Sequence, residues 1–396
     1  MRLRTRRSGV LFFLAVLPAF ASAEPTISFY RLRAPGDAHD VEQASGLHYG
    51  RLGEREGLWI VCDRNGRQSA GKLYHFSKAT LARVQAGRSI VADEAFTVVL
   101  PRGEWSAFAA AHAAAGDDVL SEVHRRISPG QQRTEEPFLD LEAVTIAPAI
   151  THPHEPRVFV VAEEPHSVIL ELTLEGSGTE ARARLVALYA YEEKADEQGT
   201  ARNDGLEGLA WAGKPGRFYL AEEGTRSHTD EASALLFFRD PRLGVADLKA
   251  GRVQVDEKAS DALTTAVRAC RKAGMQTLNG LCVPSDTAST APASGSVDRA
   301  GLLAIDRNGG WILRVDPEKH TARPWLNLYD LQGRNLRELL ASFPEPRRMP
   351  YISIEGLAMD PAGALWLVDD PAIPEGWRAS ALIRVANPPT GPLLTR

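Results

Sequence analysis

The sequence predicts an all-β fold of the β-propeller type, and three observations carry this prediction. One unit recurs five times, its strands are short and bounded by turns, and an N-terminal strand is available to complete the last unit. Self-similarity at a long period is typical of repeat folds, and repeats built from short antiparallel strands favour a propeller. The units begin at Ser45, Glu142, Glu207, Asn279 and Glu355, and their second strands end at Asp63, Glu163, Glu222, Asp306 and Asp369.

The later repeats each contain short apolar runs separated by turn residues, which is typical of all-β proteins. The predicted strands are 144–146, 157–162, 167–174 and 183–191 in the second repeat; 208–211, 217–221, 234–238 and 252–255 in the third; 281–283, 302–305, 311–315 and 323–328 in the fourth; and 357–359, 364–368 and 381–385 in the fifth.

The fifth repeat lacks a fourth strand of its own, and residues 26–33 are predicted to supply it. Such pairing would close the ring and leave no long edge exposed, which favours five blades. Six blades remain the alternative, because Ser45 and Glu142 are 97 positions apart whereas the later repeats are spaced by 65, 72 and 76. Helical insertions between blades are predicted within 104–127, 256–273 and 335–343, and a flexible loop at 285–298.

The N-terminus matches a secretory signal peptide. Arginines at positions 2, 4, 6 and 7 precede an apolar run at 9–20, and Ala21-Ser22-Ala23 is a small-residue cleavage site. The run is too short to span a membrane, and no later stretch is long enough to do so. We therefore expect a signal peptide at 1–23 and a single propeller domain at 24–396, periplasmic or secreted and without a membrane span.

The charge of the mature chain argues against a nucleic-acid partner. Removing four signal-peptide arginines from 46 basic residues leaves 42 against 51 acidic residues, a net charge of −9. An acidic surface is compatible with cation binding. We expect a monomer that binds a small-molecule substrate or an envelope ligand.

The three cysteines allow one disulfide in an exported protein. Cys270 and Cys282 flank a short glycine-containing segment, and either a bridge or two buried thiols fits that spacing. Cys62 lies within an apolar run and is predicted to be an inert core residue.

The topology of a blade predicts that the recurring acids meet. Adjacent strands run antiparallel, so the start of the first strand and the end of the second lie at one edge. Glu142, Glu207, Glu355 and Asn279 would then surround one mouth of the channel, where Ca²⁺ or another divalent cation would relieve their repulsion. The competing interpretation is that each acid caps its own turn or pairs with Arg64, Arg307 or another base.

Candidate catalytic residues lie beside this predicted metal site. Glu163, Glu222 or Asp369 could act as a general base if neighbouring charges raise its pKa. Arg226 and His228 follow Glu222 on a loop that the topology directs to the same face, where they suit anion binding and proton transfer.

A second group of ionisable residues is expected at the opposite face. His152, His154 and Glu155 lie in the turn between the first and second strands of their repeat. The sequence therefore predicts an ordinary solvated turn there rather than a metal site.

Several motifs resemble the phytase-like ("esterase-like activity of phytase") propeller family. They are Ser45-Gly46-Leu47 with 59–64, 140–143 with 160–163, 203–209, and 354–357. The resemblance covers most of the mature chain and implies an exported propeller with a divalent-metal channel. One departure is that Asp369-Asp370-Pro371-Ala372 is near the C-terminus, whereas β-propeller phytases carry such a motif near the N-terminus. Residues 203–205 also resemble gluconolactonase-like propellers.

Two classes of function follow. The first is a metal-dependent hydrolase of phosphate esters, carboxylic esters or lactones, in which the metal polarises the scissile group or activates water. The second is a non-catalytic envelope binding propeller with a structural calcium ion. A two-carboxylate glycosidase is a more distant alternative.

Overall fold

A computed structural model describes most of this chain of 396 residues. The described residues are 25–37, 39–62, 71–127, 139–163, 166–178, 181–192, 205–223, 225–228, 235–239, 241–270, 277–284, 301–307, 310–328, 353–369 and 380–388. The predicted signal peptide, the helix predicted at 335–343 and the loop predicted at 285–298 lie outside them.

The described part of the chain is mostly β-structure. Its strands are β1 (Thr26–Arg33), β2 (Ala44–Leu52), β3 (Arg55–Cys62), β4 (Lys72–Ser77), β5 (Ser89–Val91), β6 (Glu94–Val99), β7 (Leu141–Pro148), β8 (Pro156–Ala162), β9 (Val168–Glu175), β10 (Arg182–Ala190), β11 (Leu206–Trp211), β12 (Arg217–Glu222), β13 (Thr225–His228), β14 (Leu235–Arg239), β15 (Arg242–Lys249), β16 (Arg252–Val255), β17 (Leu281–Cys282), β18 (Leu302–Asp306), β19 (Trp311–Asp316), β20 (Thr321–Asn327), β21 (Ile354–Met359), β22 (Leu365–Asp369) and β23 (Ala381–Ala386). The helices are α1 (Lys78–Arg83), α2 (Trp105–Ala111), α3 (Asp117–Ile127) and α4 (Glu257–Ala269).

The strands form antiparallel four-stranded units that follow the sequence repeats. Their strand orders are β2-β3-β4-β6, β7-β8-β9-β10, β11-β12-β15-β16, β17-β18-β19-β20 and β21-β22-β23-β1. The first strand of each unit contacts the first strand of the next, and β21 returns to contact β2. This cyclic contact between first strands is the arrangement expected of a propeller.

The N-terminal strand completes the last unit, as the sequence predicts. β1 pairs antiparallel with β23, from Thr26 opposite Ala386 to Arg31 opposite Ala381. Its other edge pairs in parallel with β5, so the outermost strand of this unit is covered as well. Both pairings remove an exposed edge that could otherwise recruit another chain.

The predicted third strand of the third repeat is wrong. The structure uses β15 between β12 and β16, whereas β14 pairs with β13 in a separate two-stranded sheet. Residues 235–238 read Leu-Leu-Phe-Phe and look more strand-like than Arg242–Lys249. Both segments can form strands, and pairing with β12 in the folded protein decides that β15 rather than β14 joins the four-stranded unit.

The predicted helical insertions within 104–127 and 256–273 are present. Residues 105–111 and 117–127 form α2 and α3, and α4 begins after Asp256, whose side chain accepts a hydrogen bond from the Ala259 amide at 3.2 Å. α4 covers the third repeat through Leu263 and Val267, which are buried in one apolar cluster with residues of β15. Helices therefore fill the outer surface of the sheets, as amphipathic elements do.

The long gap between the first and second repeats holds insertions. Its described residues, 45–62, 71–127 and 139–142, fold into β2–β6, α1–α3 and short 3₁₀ turns. No additional four-stranded unit is present within those ranges.

The cysteines are free thiols, so the alternative of a Cys270–Cys282 bridge is not realised. Cys62 and Cys282 are buried, and burial raises the pKa of Cys282 to about 12. Both are therefore core residues, and the Cys282 thiol is neutral. Among the described helices, none is long and apolar enough to cross a membrane.

Candidate functional site

The first strands touch one another at the Gly that follows the polar residue in four of the five repeats; the second repeat has Ala143 at this position. A Cβ added at Gly208 would lie 2.1 Å from the carbonyl oxygen of Asn279, and one at Gly280 would lie 2.2 Å from that of Glu355. The equivalent positions Gly46 and Gly356 approach the backbones of Glu142 and Ser45 in the same way. Glycine is required because the neighbouring backbone occupies the space of a side chain. At four of the five junctions between repeats, these glycine contacts bring the first strands of neighbouring repeats close together at the position of the polar residue.

A β-bulge accompanies the acid in three of these strands. The register between first and second strands shifts at Leu141/Ala143, Leu206/Gly208 and Ile354/Gly356, which leaves Glu142, Glu207 and Glu355 as the extra residues. A bulge changes the direction of a side chain and is frequent beside active sites. The bulges explain how an acid and the apolar residues on both sides of it are all buried: Glu142, Glu207 and Glu355 are 5–6 % exposed.

Polar contacts join neighbouring repeats at this end of the strands. Ser45 donates a hydrogen bond from its hydroxyl to the carboxylate of Glu142. Asn279 donates from Nδ2 to Oε2 of Glu207 at 3.2 Å. The predicted convergence of the first-strand residues is therefore realised pairwise, between the first and second repeats and between the third and fourth.

The tightest group of acids is Asp140, Glu142 and Glu163. One oxygen from each lies within 4.8 Å of the other two, and all three residues are buried. Glu163 also accepts a hydrogen bond from the amide of Gly205 at 2.9 Å, which fixes its carboxylate. With Ca²⁺ to oxygen distances of 2.3–2.6 Å, such oxygens can share one cation.

Asp140 is a residue that the sequence interpretation did not assign to the site. It lies two residues before Glu142, directly ahead of β7, and its carboxylate meets those of Glu142 and Glu163. The signal that could have found it is the run Asp140-Leu141-Glu142, in which two acids bracket one apolar residue.

Glu207 lies among several other charges. Burial raises its pKa well above the ordinary value of 4.5, and the carboxylates of Glu223, Glu163 and Glu355 raise it further, while Arg307 opposes them. The carboxyl therefore holds a proton more strongly than an exposed glutamic acid does. The interaction with Glu163 links Glu207 electrostatically to the Asp140–Glu142–Glu163 group.

Arg307 partly neutralises the acids from inside. Its guanidinium donates to the carboxylates of Glu355 and Glu223, and Ser353 donates to Glu355 at 3.0 Å. Burial lowers the pKa of Arg307, but the carboxylates of Glu355, Glu223 and Glu207 outweigh this effect and raise it well above its ordinary value. The side chain therefore stays charged. The competing interpretation, in which Arg307 pairs with a first-strand acid, therefore applies to Glu355.

We call this end of the first strands the acidic mouth. It is defined by Asp140, Glu142, Glu163, Glu207, Glu223 and Glu355, together with Asn279 and Arg307.

Two of the predicted catalytic acids have partners of their own. Glu222 accepts a hydrogen bond from the Tyr191 hydroxyl and lies 3.7 Å from Nη1 of Arg242. Asp369 accepts from the amide of Ser353 at 2.9 Å, across from it at the start of β21. Glu223, the residue after Glu222, interacts with Glu207 and Arg307 in place of Glu222.

Arg226 and His228 lie on β13, which pairs with β14. That hairpin follows the second strand of the third repeat, at the edge where the topology predicts the functional face. Their side chains fall outside the described part of the structure.

Asn279 provides an independent indication of a ligand. It is fully buried, and its Oδ1 has no hydrogen-bond partner among the described residues. An unpaired buried amide oxygen is costly unless something binds to it. An oxygen ligand between carboxylates is what a hard cation prefers, so the donor set of the acidic mouth fits Ca²⁺.

Comparisons with known proteins agree with the motifs. The model of a family described as "Phytase-like: Esterase-like activity of phytase" matches residues 39–370. No curated protein matches the chain significantly.

Remote likenesses to solved structures were also found. The soluble aldose sugar dehydrogenase of Escherichia coli in its apo-form is 11% identical, with 92% of this chain and 100% of that chain covered and a TM-score of 0.39. A glucose dehydrogenase is 12% identical, with 91% of this chain and 99% of that chain covered and a TM-score of 0.38.

Proposed function

Because this chain belongs to the phytase-like family, we propose that it is an exported, metal-dependent hydrolase of phosphate or carboxylic esters. Hydrolysis would take place at the acidic mouth of a five-bladed propeller. The four-stranded units and the β1–β23 pairing support five blades. The signal-peptide pattern before Glu24 supports export.

One observation carries the metal site. Three buried carboxylates have oxygens within 4.8 Å of one another. The buried amide oxygen of Asn279, whose Nδ2 contacts Glu207, supports the same interpretation because it has no partner in the described residues. Carboxylates brought this close repel one another unless a proton, a base or a cation neutralises them. Arg307 performs this role for Glu355 and Glu223. No corresponding base contacts Asn279 in the described structure, and Ca²⁺ suits its oxygen.

The residues of the acidic mouth divide into two groups by chemistry. Asp140, Glu142 and Glu163 would hold the cation directly, and the amide oxygen of Asn279 would be a further ligand. A divalent cation bound there would polarise the scissile group and lower the pKa of a bound water.

The remaining residues would handle the proton and the substrate. The raised pKa of Glu207 suits a group that gives a proton to the leaving oxygen or takes one from water. Arg307 is charged and fixed by Glu355 and Glu223, so it can face the negative charge that develops on an ester oxygen. Arg226 and His228 remain candidates for contacts with the acid portion of the ester.

The test is hydrolysis by the mature protein of an aryl phosphate, phytate, an aryl ester and a lactone, with Ca²⁺ and with chelator. We expect calcium-dependent turnover of at least one ester. Glu163→Gln should lower it by more than the roughly 100-fold that loss of an outer-shell metal partner costs.

The matched control is Glu171→Gln. Glu171 is also buried and accepts a hydrogen bond from Tyr189 at 2.9 Å, but it lies in the middle of β9, outside the acidic mouth. It should retain turnover. Equal loss in both variants would indicate general destabilisation and contradict the assignment.

The second candidate function is a non-catalytic binding propeller with a structural calcium ion. The observation that favours it is the complete pairing of Glu355 with Arg307 and Ser353, which stabilises the mouth without a substrate. In that case, chelation would lower the melting temperature, and none of the four substrates would be turned over. Turnover of the lactone alone would instead favour a gluconolactonase-like activity.

A further inference from the structure

A cavity lies at the end of the first strands opposite the acidic mouth. Its volume is about 870 Å³, and it is lined by the later residues of β2, β7 and β11, by 281–284, and by Pro361 after β21. We call it the distal cavity. The strands begin at the acidic mouth, and at about 3.3 Å per residue Ala147 lies roughly 16 Å beyond Glu142. The two sites are therefore separate.

The wall of the distal cavity is mostly apolar. Ile146, Pro148, Trp211, Leu281 and Pro284 line it. Proline and tryptophan offer rigid apolar surface that loses little conformational entropy when a ligand packs against it. A cavity of several hundred Å³ with such a wall can bury most of a small molecule.

The rim of the distal cavity carries two cations for one carboxylate. Lys78 Nζ lies 3.0 Å from Glu56 Oε1, and Arg51 donates to Oε2 of the same carboxylate. The Tyr49 hydroxyl donates to Glu56 Oε1 at 3.4 Å. Arg51 and Lys78 together carry more N–H donors than Glu56 can accept, and their side chains are 69% and 66% exposed. The group of Arg51, Lys78 and Glu56 therefore has a net charge of about +1, which can bind an anionic group of a ligand.

The interior groups are neutral and polar. Burial lowers the pKa of His48 to about 4, so its imidazole is uncharged at neutral pH and can donate or accept. Burial likewise keeps the Cys282 thiol protonated. His154, which the sequence places in an ordinary turn, lines this cavity as well.

We propose that the distal cavity binds a small aromatic molecule that carries one anionic group. The ring packs against Trp211 and the prolines, and the anion lies at Arg51 and Lys78. Charge distinguishes the two sites, because the distal rim attracts an anion without a bound metal ion, whereas an anionic ester at the acidic mouth would need the cation to offset the carboxylates.

The probe is 1-anilinonaphthalene-8-sulfonate, an aromatic sulfonate whose fluorescence increases in an apolar site. We expect one molecule to bind per folded chain, with saturation. Its neutral counterpart N-phenyl-1-naphthylamine lacks the sulfonate and should bind more weakly. Equal binding of the two probes would overturn the anionic part of the proposal, and absence of saturable binding would overturn all of it.

Three variants locate the probe. Lys78→Glu should weaken binding by about fivefold, the effect of one exposed ion pair. The control is Lys249→Glu, because Lys249 is 61% exposed and also lies at the end of a third strand, but does not line the cavity. It should bind as the parent does.

Val283→Trp should weaken binding by occupying part of the cavity, with an unchanged far-ultraviolet circular dichroism spectrum as the check on folding. Full binding by Val283→Trp, or the same loss in both lysine variants, would contradict this location. Chelator and Glu163→Gln should leave binding unchanged, so the result does not depend on the proposed hydrolysis.

Discussion

Asn279 donates a hydrogen bond from Nδ2 to Glu207 Oε2 at 3.2 Å and thereby joins the first strands of the third and fourth repeats. The partner atom Oδ1 has no hydrogen bond among the described residues. One amide thus orients a carboxylate whose pKa is raised and presents an oxygen beside it. Cation binding at this pair would change both the stability and the proton affinity of the acidic mouth.

The stability of the chelated protein should fall as pH rises. The folded-state pKa of Glu207 lies above its unfolded value of 4.5. The contribution of Glu207 to folding stability is therefore fully present below pH 4.5. This contribution is lost as pH rises through the folded pKa, because the Glu207 carboxyl must then ionise while it is buried among other carboxylates. Melting temperatures of chelated protein from pH 4.5 upward measure this loss.

Glu207→Gln should flatten that pH profile, and Ca²⁺ should also reduce its slope. Glu155→Gln is the control, since Glu155 has a 53% exposed side chain in the turn between β7 and β8. A profile of equal slope in Glu207→Gln and the parent would show that Glu207 is not the group responsible.

Gly208→Ala should destabilise the ring of first strands. The added Cβ would lie 2.1 Å from the Asn279 carbonyl oxygen, a distance that only backbone movement can relieve. We expect a loss of about 1–3 kcal/mol or more, as for overpacked cores. Gly244→Ala is the control, because its Cβ would lie 3.6 Å from the nearest atom, an ordinary contact. Denaturant unfolding measures both, and a stable Gly208→Ala would contradict the close packing of these strands.

The cysteines should titrate as three free thiols. Cys270 is partly buried, whereas Cys62 and Cys282 are buried. In denaturant without reductant, mass spectrometry should show three alkylations per chain. Under native conditions we expect Cys62 and Cys282 to be unreactive, because a pKa of about 12 leaves almost no thiolate at Cys282 and both residues are shielded from solvent. One alkylation in denaturant would indicate a bridge.

The sequence predicts the repeats, the closing strand and the meeting of first-strand residues because all three follow from period and antiparallel topology. It does not predict which of Glu222 and Glu223 interacts with Glu207. Adjacent side chains of a strand point to opposite faces, and a shift of one residue exchanges them. The three bulges at Glu142, Glu207 and Glu355 are such shifts, and no residue type in the sequence specifies them.

The distal cavity could not be predicted for a different reason. His154 and Arg51 belong to different repeats and meet only because the first strands form a ring. A turn rich in proline and histidine is ordinary on its own. Its contribution to a cavity depends on the size of the side chains that the other repeats place opposite it.

Arg307→Gln should make the protein more dependent on a cation. The guanidinium is 22% exposed and pairs with Glu355 and Glu223, so its removal leaves two buried carboxylates without their base. Breaking a buried pair of this kind typically costs 3–5 kcal/mol. The loss should be largest in chelator and smaller with Ca²⁺, because a cation can neutralise the same acids.

The matched control is Lys319→Gln. Lys319 pairs with Asp316 at 2.7 Å, but its side chain is 77% exposed, so the expected change is below about 1 kcal/mol. Denaturant unfolding of both variants, with and without Ca²⁺, gives the comparison. An Arg307→Gln protein that is as stable as the parent in chelator would show that the acids of the mouth are neutral without their base. The carboxyls would then be protonated in the folded state, and the repulsion that motivates a metal site would be absent.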